Sequence, residues 1–541
     1  MLSKVLGKLM KLPAPSNAVR IERDLGLPMP DGVTLLAHRY LPEGVENPPL
    51  VLVRSPYGRA GLFGVLTGEL LAERGLQVLV VSVRGTFGSG GTFFPFHQEK
   101  ADGVAVLEWM RAQRWYPGRF GTHGPSYLGL TQWALAADAG PELAAMSLQV
   151  TASEFRNQTY AGESFSLENA LSWGDLISNQ EGPLWRVLAH NLFNPRMGRG
   201  LAHLPLKDAD RVGLGKTVAF YQRWLEHDAP GDPWWKAARH DSTVPSVTAE
   251  IQMTTGWHDI FLPWQLEDYA QLKAAGRPPR MTIGPWSHAQ LPGLASAVQS
   301  AIPFFHHVLG KGPAPGGAPV RIFIPGLDAW RELPFWPPRS TPTRWYLHPK
   351  HRLERGEPAE SAPEVYRYDP ASPTPGVGGA LRQQKTSGAR DNRALEARAD
   401  VVTFTGEWLE KDLEIIGTVE AELFVESSLE HTDFFARLCD VHPDGKSVNV
   451  CDALIRLRPG AAERQSDGSL TLRFPLWPTA HRFLRGHRVR AQISSGAFPR
   501  YARNPGTGEP LATATRLQAA DQKIFHQPGR ASALILPVSE S

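Results

Sequence analysis

The stretch Arg119–Gly129, R-F-G-T-H-G-P-S-Y-L-G, decides how the chain is read. A short run ends at Pro125, and a segment rich in Leu, Ala, Trp and Gln (128–139) starts straight after Ser126 and Tyr127. The pattern is strand, sharp turn, helix. Gly124 removes a Cβ where such a turn crowds the strand, and Pro125 fixes φ just before the serine. Ser126 is thereby lifted to the head of a helix, the context that makes a nucleophile elbow credible. One position departs from the usual G-x-S-x-G spacing, because Leu128 stands two after the serine and the glycine comes at Gly129.

The flanking sequence sets this turn in a parallel sheet. PLVLVR (49–54), LQVLVVSV (76–83) and MSLQVTA (146–152) are apolar throughout and of buried-strand length. Helical periods lie between them, at 63–74, 99–113 and 128–139. Apolar strands alternating with helices indicate a parallel sheet covered on both faces. Residues 19–42 alternate in strand fashion around Pro30-Asp31-Gly32, a hairpin turn. The loop RGTFGSGGTF (84–93) lacks G-x-G-x-x-G spacing and an acidic partner downstream, so it is no dinucleotide site.

From 153 to 245 the pattern is helical and aromatic, with Trp173, Trp185, Trp224, Trp234 and Trp235, and reads as an inserted cap. Strand–helix alternation resumes with AEIQMTTGWHD (249–259), a helix (264–275) and RMTIGPWSH (280–288). Beyond 339 short alternating strands follow, among them 343–348, 401–406, 418–427, 434–442 and 488–495, with Pro/Gly-rich connections. That spacing indicates a sandwich or jelly roll. The expected division is an N-terminal amphipathic segment (1–18), a parallel α/β domain in two pieces (19–152 and 246–340), the cap (153–245) and a jelly-roll β-sandwich (341–541).

The totals agree with a soluble globular chain. It has 541 residues, 42% hydrophobic and 21% charged, with 57 basic against 54 acidic residues. Two to four domains are expected at this length. Near-balanced charge without a basic, aromatic-interleaved block argues against nucleic acid as a partner. No apolar run reaches the ~18 residues of a membrane span. The N-terminal MLSKVLGKLMKL places Leu2, Val5, Leu6, Leu9 and Leu12 on one helical face and Lys4, Lys8 and Lys11 opposite. No secretory cleavage signature follows, and a cytoplasmic protein is expected. Cys439 and Cys451 form neither a disulfide framework nor a metal-ligand pattern, and free buried thiols are expected.

A serine nucleophile needs a base, and the base an orienting carboxylate. In doubly wound sheets these follow in loops past strand carboxyl ends, in the order Ser, Asp or Glu, His. Two downstream strands end in suitable residues, Asp259 in T-T-G-W-H-D-I-F and His288 in I-G-P-W-S-H. Asp232, Asp241 and Asp268 are rivals for the acid but fall in the cap or mid-helix. His258, His306 and His307 read as structural. The oxyanion needs donors. The Tyr127 backbone N–H, at the helix start, is one. The other belongs in the loop after PLVLVR, where Tyr57 in SPYGR either supplies a hydroxyl or packs at the sheet edge.

At these residues the chain resembles the CocE/NonD family of cocaine esterase, α-amino-acid ester hydrolases and X-Pro dipeptidyl-peptidases. The resemblance rests on PMPDGVTLLAHRY, RSPYGR, SVRGTFGSGG, GPSYLG, GWHDIF, IGPWSH, RLCDVHPDGKS and SSGAFPRYARNPGTGE, in order over nearly the whole chain. It implies an α/β-hydrolase domain, a helical cap and a C-terminal jelly roll. It also implies Ser126 as nucleophile, Asp259 as acid, His288 as base, and an oxyanion hole of the Tyr57 hydroxyl and the Tyr127 N–H. The shift to Gly129 is then family habit.

The substrate is decided elsewhere. Asp259 is followed by Ile260, Phe261, Leu262 and Pro263, so an α-ammonium brought there would lose hydration without a counter-ion. Phe261 and Trp173 suggest an apolar or aromatic acyl pocket. Glu154 and Glu163, early in the cap, are the carboxylates that would reverse this. The expected activity is hydrolysis of esters, or amides, with an uncharged apolar or aromatic acyl group through an acyl-enzyme, without metal or cofactor. The partner is a small-molecule substrate, and a homodimer is compatible with the β-rich third. The alternatives are an X-Pro dipeptidyl-peptidase-like or amide/β-lactam acylase activity and, from another class, a catalytically silent binding protein.

Overall fold

The computed structural model describes residues 2–182 and 194–540. Its organising element is a ten-stranded sheet: β1 (Val19–Pro28), β2 (Thr34–Pro42), β3 (Leu50–Ser55), β4 (Gln77–Ser82), β5 (Phe120–Pro125), β6 (Leu143–Gln149), β7 (Glu250–His258), β8 (Arg280–Ser287), β9 (Val320–Ile324) and β10 (Ala329–Leu333). The order is β1-β2-β4-β3-β5-β6-β7-β8-β9-β10. β4 through β9 run parallel, and hairpin strands pair antiparallel at both ends. β3 and β4 are buried along their whole length, as expected of central parallel strands.

Alternate strand residues feed two cores, one on each face of the sheet. Val51, Val53, Val78 and Val80 pack with Leu70, Leu71 and Phe304 on one face. Leu50, Leu52, Leu79 and Val81 pack with Leu107, Met110 and Leu135 on the other. The expected helices are present as Glu99–Arg111, Tyr127–Ala139 and Leu262–Ala274. The segment expected as one helix at 63–74 runs over 61–72 and contains a π-helical turn at Val65–Glu69. β9 and β10, not anticipated from the sequence, extend the sheet beyond β8.

Helices such as Leu167–Asn179 and Ala219–Glu226 lie between β6 and β7 and cover the carboxyl end of the sheet. Trp185 lies outside the described residues. From Ser340 onward the fold is almost entirely β, a jelly-roll-type network of 15 strands around a separate core that includes Trp345, Phe404, Phe434 and Ile493. Its first strand pairs with its last, Ser340 opposite Ser539 through Tyr346 opposite Ala533. Cys439 and Cys451 are buried free thiols in the hairpin 432–457, facing Asn449 and Leu438 respectively across a bulge.

The N-terminal helix Leu2–Leu9 docks differently from its hydrophobic pattern. Ser3, Gly7 and the following Met10 are buried, while Leu2, Val5 and Leu9 are exposed. A Cβ on Gly7 would lie 3.2 Å from the Arg74 guanidinium. The small residues are therefore the face that approaches the body most closely. Among the described residues no helix is long and apolar enough to cross a membrane.

Candidate active site

The turn after β5 is held from several sides. Ser126 takes φ 57° and ψ −121°, a conformation that costs a residue with a Cβ on the order of 1–3 kcal/mol. Its N–H donates to the Gln149 carbonyl at 2.9 Å, and its own carbonyl accepts from Thr151 Oγ1 at 2.8 Å. The displaced glycine has a packing cause. A Cβ on Gly129 would sit 2.3 Å from Thr151 Cγ2, and one on Gly124 would sit 2.5 Å from Leu128 Cβ. Leu128 fills the space beside the turn, and the helix meets the chain leaving β6 one residue later.

β7 and β8 are neighbours, so the loops leaving them are adjacent above the sheet. Asp259 follows β7 and is fully buried. Its Oδ1 accepts the Phe261 N–H at 2.8 Å, which fixes the carboxylate, and its Oδ2 lies 2.8 Å from His288 Nδ1. His288 Nε2 lies 3.1 Å from Ser126 Oγ. The three side chains form one hydrogen-bonded line in which a proton leaving Oγ would be taken by an imidazole steadied on its far nitrogen.

Tyr57, in the loop after β3, has its hydroxyl 3.1 Å from the Trp173 indole N–H, which donates to it. Burial raises the Tyr57 phenol above its ordinary pKa, against hydrogen bonding with the Trp173 and Ser126 side chains. The Tyr127 N–H is at the first position of its helix and has no intrahelical carbonyl to bond. The Tyr127 ring is also tied down. Its hydroxyl donates to Glu99 Oε1 at 2.6 Å and accepts the Phe96 N–H at 3.1 Å. Glu99 in turn pairs with Arg54, and burial pushes its carboxyl up.

These groups open onto a cavity of about 300 Å³ whose walls include Phe96, Phe155, Trp173, Ile260 and Phe261. Phe261 stands 6.1 Å from Phe155 and 5.7 Å from His288, ring to ring. Trp173 stacks at 5.8 Å on Trp224. Trp224, Trp234 and Trp235 pack behind this wall and do not line the cavity. Among the described lining residues there is no Asp or Glu. Glu154 is taken up by the Arg156 and Asn157 amides, and Glu163 pairs with Arg156.

The rival acids have structural partners: Asp232 accepts from Trp234 N–H, Asp241 pairs with Arg239, and Asp268 holds Ser153. His306 and His307 bond backbone carbonyls, and His258 is held neutral by burial, with a pKa of about 4. A cluster with metal-ligand spacing, Asp440, His442 and His487, lies in the β domain away from the cavity. Both Asp440 oxygens there already accept from imidazoles, His481 and His487, at 2.9 Å. Sequence reading missed the loop 379–388, which brings Arg382 from the β domain to the cavity wall. Its only advance signal is the glycine-rich stretch before it.

Comparison with known proteins gives the same frame. The family model of the X-Pro dipeptidyl-peptidase (S15 family) matches residues 31–290. The model of the X-Pro dipeptidyl-peptidase C-terminal non-catalytic domain matches 315–535. The chain is 30% identical to cocaine esterase of Rhodococcus sp. (strain MB1 Bresler), over 95% of this chain and 97% of that one. In fold it is similar to an α-amino acid ester hydrolase (TM-score 0.82, 24% identity, 98% of each chain). An aminopeptidase from a marine sediment archaeon, Thaumarchaeota archaeon, matches as well (TM-score 0.82, 22% identity, 98% of each chain). The chain belongs to the CocE/NonD family, that of cocaine esterase and the S15 X-Pro dipeptidyl-peptidases, and is a serine hydrolase.

Proposed function

We propose that this enzyme is a carboxylic ester hydrolase whose substrates carry an uncharged apolar or aromatic acyl group. One observation carries the reading: the Ser126–His288–Asp259 line opens onto an apolar cavity without a carboxylate among its described lining residues. Ser126 Oγ attacks the ester carbonyl as His288 Nε2 takes its proton. The oxyanion is met by the Tyr57 hydroxyl and the Tyr127 N–H. His288 returns the proton to the departing alcohol, leaving the acyl group on Ser126. A water molecule, deprotonated by His288, then attacks the acyl carbon, and the acid leaves as Ser126 regains its proton. Ester, water, Ser126 and His288 balance every atom.

The substrate of an X-Pro dipeptidyl-peptidase presents an ammonium that must shed water at the site. Here it would find no anionic partner among the described cavity residues and would share the cavity with Arg382. Residues 19–152 and 246–340 are taken as the domain that carries the chemistry, with 153–245 as its cap and 341–541 as the domain closing the site. The test is turnover of short aryl esters beside an X-Pro anilide, by wild type and by Ser126→Ala and His288→Ala. Expected is ester cleavage well above anilide cleavage, lost at least a thousandfold in both variants. Activity retained within tenfold in either variant overturns the assignment.

A further inference from the structure

Arg382 is the one permanently charged side chain among the described residues lining the cavity. Its loop is pinned on both flanks. Gly379 and Gly388 exchange backbone hydrogen bonds at 2.8 and 2.9 Å. The Arg382 and Gln383 amides each donate to a Glu168 carboxylate oxygen at 3.1 Å. Gln384 Nε2 donates to the His288 carbonyl at 3.2 Å, and Ser387 Oγ bonds Ser287 Oγ at 2.7 Å. The backbone that presents Arg382 is therefore fixed to the same segment that carries His288.

The guanidinium itself makes no hydrogen bond or ion pair among the described residues, and it is half-buried. Burial pulls its pKa below the usual arginine value, against the charges of Tyr57, Glu168 and Asp175. Both carboxylates are engaged elsewhere, Glu168 by the two amides and Asp175 by the side-chain amides of Asn179 and Asn194. A partly desolvated cation without a close counter-ion is unfavourable, and an arriving anion relieves that cost. A lone planar guanidinium in an otherwise apolar cavity fits a planar monoanion, which it grips through two parallel N–H···O bonds.

We propose that Arg382 binds a carboxylate on the alcohol half of the ester, so that preferred substrates are esters of acid-bearing alcohols or phenols. This rests on the uncharged acyl group proposed above. Phe96, Phe155, Phe261 and Ile260 offer the acyl half an apolar wall, and a carboxylate there would be desolvated against it.

The experiment uses the full-length enzyme and three esters: phenyl butanoate, 4-carboxyphenyl butanoate, and a phenyl half-ester of a linear dicarboxylic acid. The readout is the ratio of kcat/KM for the carboxyphenyl ester to that for the phenyl ester, corrected for intrinsic reactivity. Expected is a ratio of about ten or more in wild type, expressed mainly in KM. It should fall to about one in Arg382→Gln and to an intermediate value in Arg382→Lys. A fluorophosphonate label on Ser126 and a thermal melt confirm that each variant is folded. A wild-type ratio near one, or a ratio unchanged by Arg382→Gln, overturns the proposal. Preference for the half-ester instead overturns both the placement on the alcohol and the uncharged acyl group on which it rests. Failure of the ester-hydrolase reading itself looks different, because then none of the three esters is turned over.

Discussion

The indole N–H of Trp173 donates to the Tyr57 hydroxyl oxygen at 3.1 Å. This bond occupies one lone pair of the phenol and leaves its own O–H proton for another acceptor. With a lone pair occupied by Trp173, the Tyr57 O–H proton is free to be aimed at the cavity, where an oxyanion donor must stand. Trp173 lines the cavity from the helix Leu167–Asn179, while Tyr57 comes from the loop after β3. Trp173→Phe keeps an aromatic ring and removes the donor. Expected is a fall in kcat of about fivefold, against ~10²-fold for Tyr57→Phe. In the double variant the loss should be no more than twice that of Tyr57→Phe alone. Full multiplication of the two losses would show that the residues act independently.

The position of the second glycine yields a stability test. Gly129→Ala places a methyl 2.3 Å from Thr151 Cγ2, with Thr151 Cβ and Oγ1 each at 2.5 Å. A clash of this depth in a close-packed site costs about 1–3 kcal/mol or more. Leu128→Gly, which restores the generic spacing, empties a buried site and should cost about 2–5 kcal/mol. Both are expected to melt at least several degrees lower. A Leu128→Gly/Gly129→Ala protein with wild-type melting temperature would refute the packing account.

His123 lies in β5 beneath the elbow, almost fully buried, and burial alone lowers its pKa to about 4. Its Nδ1 faces Gln149 Nε2 at 3.2 Å, where a neutral ring accepts. The unfolded chain therefore binds a proton near pH 6.5 that the folded chain refuses until about pH 4. The stability is present above pH 6.5 and is lost as pH falls toward 4. The difference at pH 5 amounts to about 2 kcal/mol. Between pH 7 and pH 5 the melting temperature of wild type should drop more than that of His123→Phe. Equal drops would show that His123 does not contribute to the acid limb.

The parts legible in the sequence share a physical cause. β3, β4 and the elbow strand are buried on both faces, so their sequences carry the burial directly. Asp259 and His288 follow apolar strands because strand ends are where a parallel sheet exposes side chains to solvent and substrate. The jelly roll announced itself through short alternating strands and turn residues. What stayed hidden depends on contacts between distant segments. The loop carrying Arg382 is placed by Glu168, over 200 residues away, and by the His288 carbonyl. The Trp173–Tyr57 bond joins residues 116 apart. The docking face of the N-terminal helix was not legible, because its apolar stripe is its strongest signal while Ser3 and Gly7 are what the surface admits. Glu99 reads as one more acid at the head of a helix. Only the fold shows that it anchors the Tyr127 ring.

The measurement that bears most directly on the central claim is mass spectrometry of enzyme quenched within milliseconds of mixing with an aryl ester. Expected is a mass increase equal to the acyl group, located on the peptide containing Ser126, absent in Ser126→Ala and decaying as the acid is released. Ester turnover with no acyl adduct in Ser126→Ala but undiminished rate, or an adduct on any other residue, would contradict it.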